Sequence, residues 1–221
     1  MFPNWAKNIL FLLVYMISGL VLVIIIEGLL SGAELTPLNT VVEQVVTHVR
    51  TPILTTLLVA VTRLGNPFIL SFTAMLIAIL LVVRNGRYYD ATLLATAIVV
   101  AVVSLTVLKN TFQITRPGYG LEDFNGWSFP SGHATIATAF FFMLIYTFSD
   151  KMTSLKGKIS LISGSILGAS AICFSRLYLG AHWTLDILAG IALGLLSVSF
   201  TILMFNVFIE NKRSLKNRIS L

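Results

Sequence analysis

Charge is the scarcest ingredient of this sequence. Only 11% of its 221 residues are Asp, Glu, Lys or Arg, 57% are hydrophobic, and the mean hydropathy is +0.92. Soluble globular domains carry roughly 25% charged residues, so the composition excludes that class and indicates an integral membrane protein. Cysteine is nearly absent. The single Cys173 lies inside an apolar run, which excludes an intramolecular disulfide or a thiolate metal site and leaves a small core side chain. Histidine occurs three times, and there is no internal repeat or low-complexity tract. The net charge of +6 comes without a basic stripe interleaved with aromatics, so nucleic acid is not an expected partner.

What the chain does have is apolar runs of membrane-spanning length. Six emerge, at roughly 8–28, 67–83, 91–108, 132–149, 159–175 and 184–208. The expected fold is all-α, a polytopic membrane protein of six transmembrane helices forming one domain over 1–221. No room is left for a separate soluble domain. Leu64-Gly65-Asn66-Pro67 marks the start of the second span, and Arg84-Asn85-Gly86-Arg87 makes a tight polar turn after it. With both termini inside, ten of the fifteen basic residues fall on the inner side: Lys7, Arg84, Arg87, Lys151, Lys156, Lys158, Lys212, Arg213, Lys216 and Arg218. Arg50, Arg63, Lys109, Arg116 and Arg176 fall outside. The positive-inside rule favours this orientation in the cell membrane, with cytoplasmic termini.

Two segments need separate reading. Ser31-Gly32-Ala33 resembles a signal-peptide cleavage site, but Ile9 to Leu30 exceeds the usual h-region, so the first run is expected to stay as an uncleaved helix; a mature start at Glu34 would remove it. Further on, Leu38, Val41, Val42, Val45, Val46 and Val49 recur at helical spacing, with Glu43, Gln44 and His48 on other faces. This is an amphipathic helix between the first and second spans, lying at the outer interface or packed on the bundle.

The outer loops concentrate the remaining polar chemistry. KNTFQITRPGYGLEDFNGWSFPSGH joins the third and fourth spans, and SRLYLGAHWTLD joins the fifth and sixth. They place Lys109, Arg116, Ser131, His133, Arg176, His182 and Asp186 at the outer ends of helices, where ionisable groups must be paired or functional. Three fixed cations beside a helix N-terminus make an anion site, and phosphoryl transfer is the chemistry that most needs such charge neutralisation. Arg116 and Arg176 offer planar forks and Lys109 a point charge. In Pro130-Ser131-Gly132, Ser131 can cap the helix and Gly132 can let backbone approach a ligand, with the first N–H groups aimed at phosphate. His182 and Asp186, four residues apart, share a helix face, so the carboxylate can hold one ring nitrogen and leave the other to attack. His133 can protonate the leaving group. The three cations supply charge that a metal would otherwise provide, so no cofactor or metal is expected.

Together, Lys109-x6-Arg116-Pro117, Pro130-Ser131-Gly132-His133 and Ser175-Arg176-x5-His182-x3-Asp186 resemble the three-part signature of the type 2 phosphatidic acid phosphatase family of membrane lipid phosphatases. Every motif position holds the family residue. The resemblance is greatest to the small bacterial members that act on phosphatidylglycerophosphate or undecaprenyl pyrophosphate. It implies metal-independent hydrolysis of a lipid phosphomonoester or pyrophosphate on the extracytoplasmic face, through a phosphohistidine at His182 oriented by Asp186. It also implies His133 as general acid and Lys109, Arg116, Ser131, Gly132 and Arg176 as phosphate ligands. The expected partners are the lipid substrate and the bilayer, with no obligate protein partner. Phosphatidate and diacylglycerol pyrophosphate are further candidate substrates. A lipid phosphotransferase using the same histidine, or a non-catalytic lipid binder, are the alternatives. Tyr119, Trp127, Phe129, Tyr178 and Trp183 flank the site as belt anchors or ligand contacts. Glu122-Asp123 is either a headgroup tuner or a solvated loop.

Overall fold

The computed structural model describes residues 4–31, 36–121 and 125–219, so the Gly32-Ala33 cleavage candidate and Glu122-Asp123 lie outside the described residues. Among the described residues every regular element is helical. In chain order these are α1 (Asn4–Leu30), α2 (Thr36–His48), α3 (Pro52–Leu64), α4 (Pro67–Asn85), α5 (Tyr88–Phe112), α6 (Gly132–Phe148), α7 (Leu155–Tyr178) and α8 (Thr184–Ile219), with a short 3-10 turn at Ser149–Lys151. Six stretches are long and apolar enough to cross a bilayer: 5–30, 67–85, 88–112, 132–151, 155–178 and 184–207. They coincide with the six runs expected from sequence. The expected punctuation forms too. Asn66 caps α4 by accepting from Phe68 N–H at 2.9 Å, with Pro67 in the first turn, and Gly86 ends that helix at φ +59°.

Between the first two spans the sequence suggested one helix, and there are two. α2 occupies the valine-rich stretch; α3 follows at an angle of 120° after a short break. α3 went unrecognised because PILTTLLVAVTRL, at 13 residues, is too short for a span, and its end merges with the turn that starts α4. Both readings of α2 hold in part. Val46 is buried against Leu58, Tyr178 and Leu179, whereas Val41, Val45 and Val49 stay exposed. His48 is exposed, as its polar face required.

α6 and α8 form the centre of the bundle. α8 packs on α1, α5 and α6, and α6 also contacts α4, α5 and α7. The α6–α8 crossing is close because small residues face each other there. A Cβ on Gly190 would lie 2.8 Å from the Ser131 carbonyl oxygen, and one on Gly194 would lie 2.7 Å from that of Thr135. The same approach lets Ser131 N–H donate to the Asp186 carbonyl at 3.0 Å, which ties the start of α6 to the start of α8. At the opposite end of the bundle, Asp90 pairs with Arg87 and Lys151 at 2.7 Å each, and Asp150 with Lys7 at 2.6 Å. Cys173 is buried, as expected.

Candidate active site

Two loops meet where α5 ends, α6 begins, α7 ends and α8 begins. Gly180, at φ +67°, turns the chain from α7 toward α8, and a Cβ there would lie 2.8 Å from Gly120 Cα. Only glycine accepts both that backbone conformation and the crossing strand of loop. Leu121 N–H donates to the Leu179 carbonyl at 2.9 Å, so the long loop is fastened over the short one.

His182 and Asp186 are each 2% exposed. His182 Nδ1 lies 3.3 Å from Asp186 Oδ2, and its Nε2 lies 3.3 Å from Arg116 Nη1. A guanidinium only donates, so Nε2 carries the lone pair and Nδ1 carries the proton given to Asp186. This is the tautomer a nitrogen nucleophile needs. Burial pushes the imidazole down to about 4, while Asp186 pulls it back up and Arg116 and Arg176 oppose protonation further. The ring is neutral at physiological pH.

Asp186 Oδ2 takes more than the histidine. Trp183 N–H donates to it at 2.8 Å, and the Ser128 hydroxyl donates to the same oxygen. Ser128 Oγ also lies 3.4 Å from His182 Nδ1, and Ser128 is completely buried. Sequence reading passed over this residue because an uncharged serine three positions before Ser131 carries no pattern of its own.

Arg116 and Lys109 are held by backbone carbonyls. Arg116 donates through Nε to Gly126 at 2.9 Å, through Nη1 to Ala181 at 2.7 Å and through Nη2 to Asn125 at 3.1 Å. Lys109 Nζ donates to the Trp127 carbonyl at 2.6 Å. The first motif therefore clasps residues 125–127, the segment leading into Pro130-Ser131-Gly132-His133, and Arg116 joins that segment to the α7–α8 loop. A recess of about 300 Å³ beside it is lined by Thr115, Arg116, Gly126 and Trp127. A lysine at 116 cannot reach three carbonyls in different directions. Arg116→Lys is expected to lower kcat/KM about 100-fold despite the retained charge; steady-state kinetics at wild-type values would contradict this role.

Arg176, 5% exposed, donates through Nη1 to Thr62 Oγ1 at 2.7 Å. Thr62 is on α3, so the unexpected helix supplies a wall of the site. His133, in the first turn of α6, is partly buried and lies near the Thr62 backbone and within electrostatic reach of Arg176, His182 and Arg116. Ser131 is fully buried and caps α6, accepting from Ala134 N–H at 3.4 Å. Gly132 has a packing role as well, because a Cβ there would lie 3.3 Å from Leu105. All eight expected site residues thus sit at one end of the bundle. Arg50 secures the α2–α3 corner to it, donating through Nη2 to the carbonyls of Tyr178 at 3.1 Å and Tyr119 at 3.3 Å.

The flanking aromatics divide. Phe129 and Tyr178 are fully buried, Phe129 edge-on to Phe112 and the Tyr178 hydroxyl 3.0 Å from Thr55 Oγ1, so neither is a belt anchor. Trp183 donates to the Thr115 carbonyl at 3.0 Å and meets Tyr119 edge-on, while Trp127 is 39% exposed. Among the described residues no three His, Cys, Asp or Glu side chains gather as metal ligands would.

The chain is similar to known proteins in both sequence and fold. The chain is 35% identical over 123 residues to an undecaprenyl-diphosphatase of Sulfolobus acidocaldarius, covering 53% of this chain and 55% of that protein. It therefore spans about half the length of that relative. It is 27% identical over 157 residues to phosphatidylglycerophosphatase B of Bacillus subtilis, covering 67% of this chain and 73% of the relative. The fold matches the crystal structure of a transmembrane PAP2-type phosphatidylglycerolphosphate phosphatase from Bacillus subtilis, with a TM-score of 0.70 at 22% identity over 93% of this chain and 96% of the other. It also matches LpxE of Aquifex aeolicus, with a TM-score of 0.58 at 26% identity over 75% and 94%. A model of the PAP2 superfamily matches residues 90–210, more than half of the sequence and the part that contains all eight site residues; the chain belongs to the PAP2 superfamily.

Proposed function

We propose that this chain is a single-domain integral membrane phosphatase that removes phosphate from a membrane lipid without a metal, on the extracytoplasmic face. The observation that carries this reading is His182, whose Nδ1 faces Asp186 while Nε2 faces the Arg116 guanidinium. In the proposed reaction the substrate phosphate is held by Lys109, Arg116, Arg176 and the start of α6 at Ser131 and Gly132. His182 Nε2 attacks phosphorus, the N–P bond forms and the ester or anhydride P–O bond breaks. His133 gives its proton to the departing oxygen. Water then attacks the phosphohistidine, His133 takes up its proton, and inorganic phosphate leaves as His182 is regenerated.

Undecaprenyl pyrophosphate and phosphatidylglycerophosphate are the leading substrates, in line with the names of two relatives. A site on the outer face reaches the first directly and requires the second to cross the bilayer. The basic residues of the α4–α5 and α6–α7 turns, which lie away from the site, support cytoplasmic termini. The test is phosphate release from both lipids by the purified protein in detergent with EDTA. Activity is expected to persist in the chelator, and its loss would refute the metal-free mechanism. Preference for the first substrate would indicate wall-carrier recycling, and for the second, phospholipid synthesis. A phosphorylated lipid acceptor with little free phosphate would instead indicate a phosphotransferase.

A further inference from the structure

An apolar cavity lies below the cation cluster, between α6, α7 and α8. It has a volume of about 390 Å³, and its lining includes Thr138, Phe141, Ala169, Cys173, Leu177 and Ile191. It exists because α7 packs on α6 and α3 but barely touches α8, leaving a gap between two consecutive spans. Gly168 shapes one wall. A Cβ there would lie 2.6 Å from Phe141 Cζ, so the missing side chain makes room for the tip of that ring against α7.

Position and length suggest an occupant. Along α7 the lining runs from Ser165 to Leu177, about 18 Å at 1.5 Å per residue. One leaflet of hydrocarbon is ~15 Å deep. Leu177 adjoins Arg176. Cys173, Leu177 and Ile191 of the lining pack in one cluster with Ala134 and Ile187, which directly follow His133 and Asp186 in sequence. A lipid whose phosphate sits among the cations therefore has a leaflet-deep apolar channel starting one helical turn below it.

We infer that the α6–α7–α8 groove holds one hydrocarbon chain of the lipid substrate while its phosphate lies at His182. The inference rests on the phosphatase reading. A chain already in the bilayer gains no hydrophobic transfer energy by entering an apolar groove. What it gains is packing and a fixed approach of the phosphate to Nε2. The groove therefore acts on tailed substrates and leaves tail-free ones untouched.

Ala169→Trp puts an indole into the groove without touching any of the eight site residues. For the full-length protein in detergent, kcat/KM for hexadecyl phosphate is expected to fall about tenfold, because the indole takes the space that positions the chain, with phenyl phosphate turned over as before. Unchanged kinetics on both substrates would overturn the inference. If the indole instead disturbs the bundle, both rates fall, and a thiol on the open side of the lining decides. Ile166 is a lining residue and 56% exposed, so in Cys173→Ser with Ile166→Cys the sole thiol is reachable. Its reaction with N-ethylmaleimide should slow about tenfold in hexadecylphosphonate at ten times Kd and not in phenylphosphonate. Equal labelling rates would overturn the groove assignment. This measurement needs no turnover, so a wild-type protein that releases no phosphate from any substrate would defeat the phosphatase reading and still leave the groove decided.

Discussion

His182→Ala should lower kcat by at least about 10⁴-fold, because in the proposed mechanism its Nε2 forms the bond to phosphorus. The arrangement leaves little redundancy. Nε2 faces the Arg116 guanidinium, Nδ1 is committed to Asp186, and the ring is held neutral by burial and by two arginines. In the proposed mechanism, removing the imidazole leaves only groups that hold the phosphate and do not attack it. Phosphate release would be measured together with acid-labile phosphate on the protein after rapid quench. Both should vanish in the variant. Release at the wild-type rate would show that His182 is not the nucleophile.

Asp186→Asn is expected to reduce kcat on the order of 10³-fold with little change in KM. Asparagine can keep one acceptor oxygen where Oδ2 receives Ser128, Trp183 and His182. It cannot keep the negative charge that offsets Arg116 and Arg176 around the histidine as positive charge develops there. KM should hold because the carboxylate faces the imidazole and not the phosphate cradle. Ser128→Ala should also lower kcat, and adding it to Asp186→Asn should cost little more, because residues acting through one carboxylate are not additive. Multiplicative losses would mean that Ser128 supports the loop and does not act through Asp186. Wild-type turnover by Asp186→Asn would remove the orienting role altogether.

Most of the fold could be read from apolar run length. A span needs about 20 residues, and the six runs supplied them with charges or turn residues at their ends. α3 was missed for the same reason: it has 13 residues, and its burial on α7 has no local pattern to announce it. The site was legible where chemistry demands a residue type at a fixed spacing. His182 and Asp186 share one helix turn, and Ser131 stands where a helix must be capped. Thr62 and Ser128 were not legible, since threonine and serine are common and each acquires its role only by facing a partner far away in the chain, Arg176 at a separation of 114 residues and Asp186 at 58.

The sequence by itself determined that the chain lives in a membrane, how many times it is able to cross, and that its cations, histidines and one carboxylate collect at the ends of particular spans. These follow from hydrocarbon thickness and from the cost of burying charge, which act residue by residue along the chain. Only the tertiary structure decided that Arg116 and Lys109 grip loop carbonyls, that α3 walls the site, that Ser128 shares Asp186 with His182, and that α7 and α8 part to leave a leaflet-deep groove. Each of those depends on which helices touch and how closely. That is set by opposing small residues such as Gly190 and Gly194 against the α6 backbone, and such contacts exist only once both partners are in place.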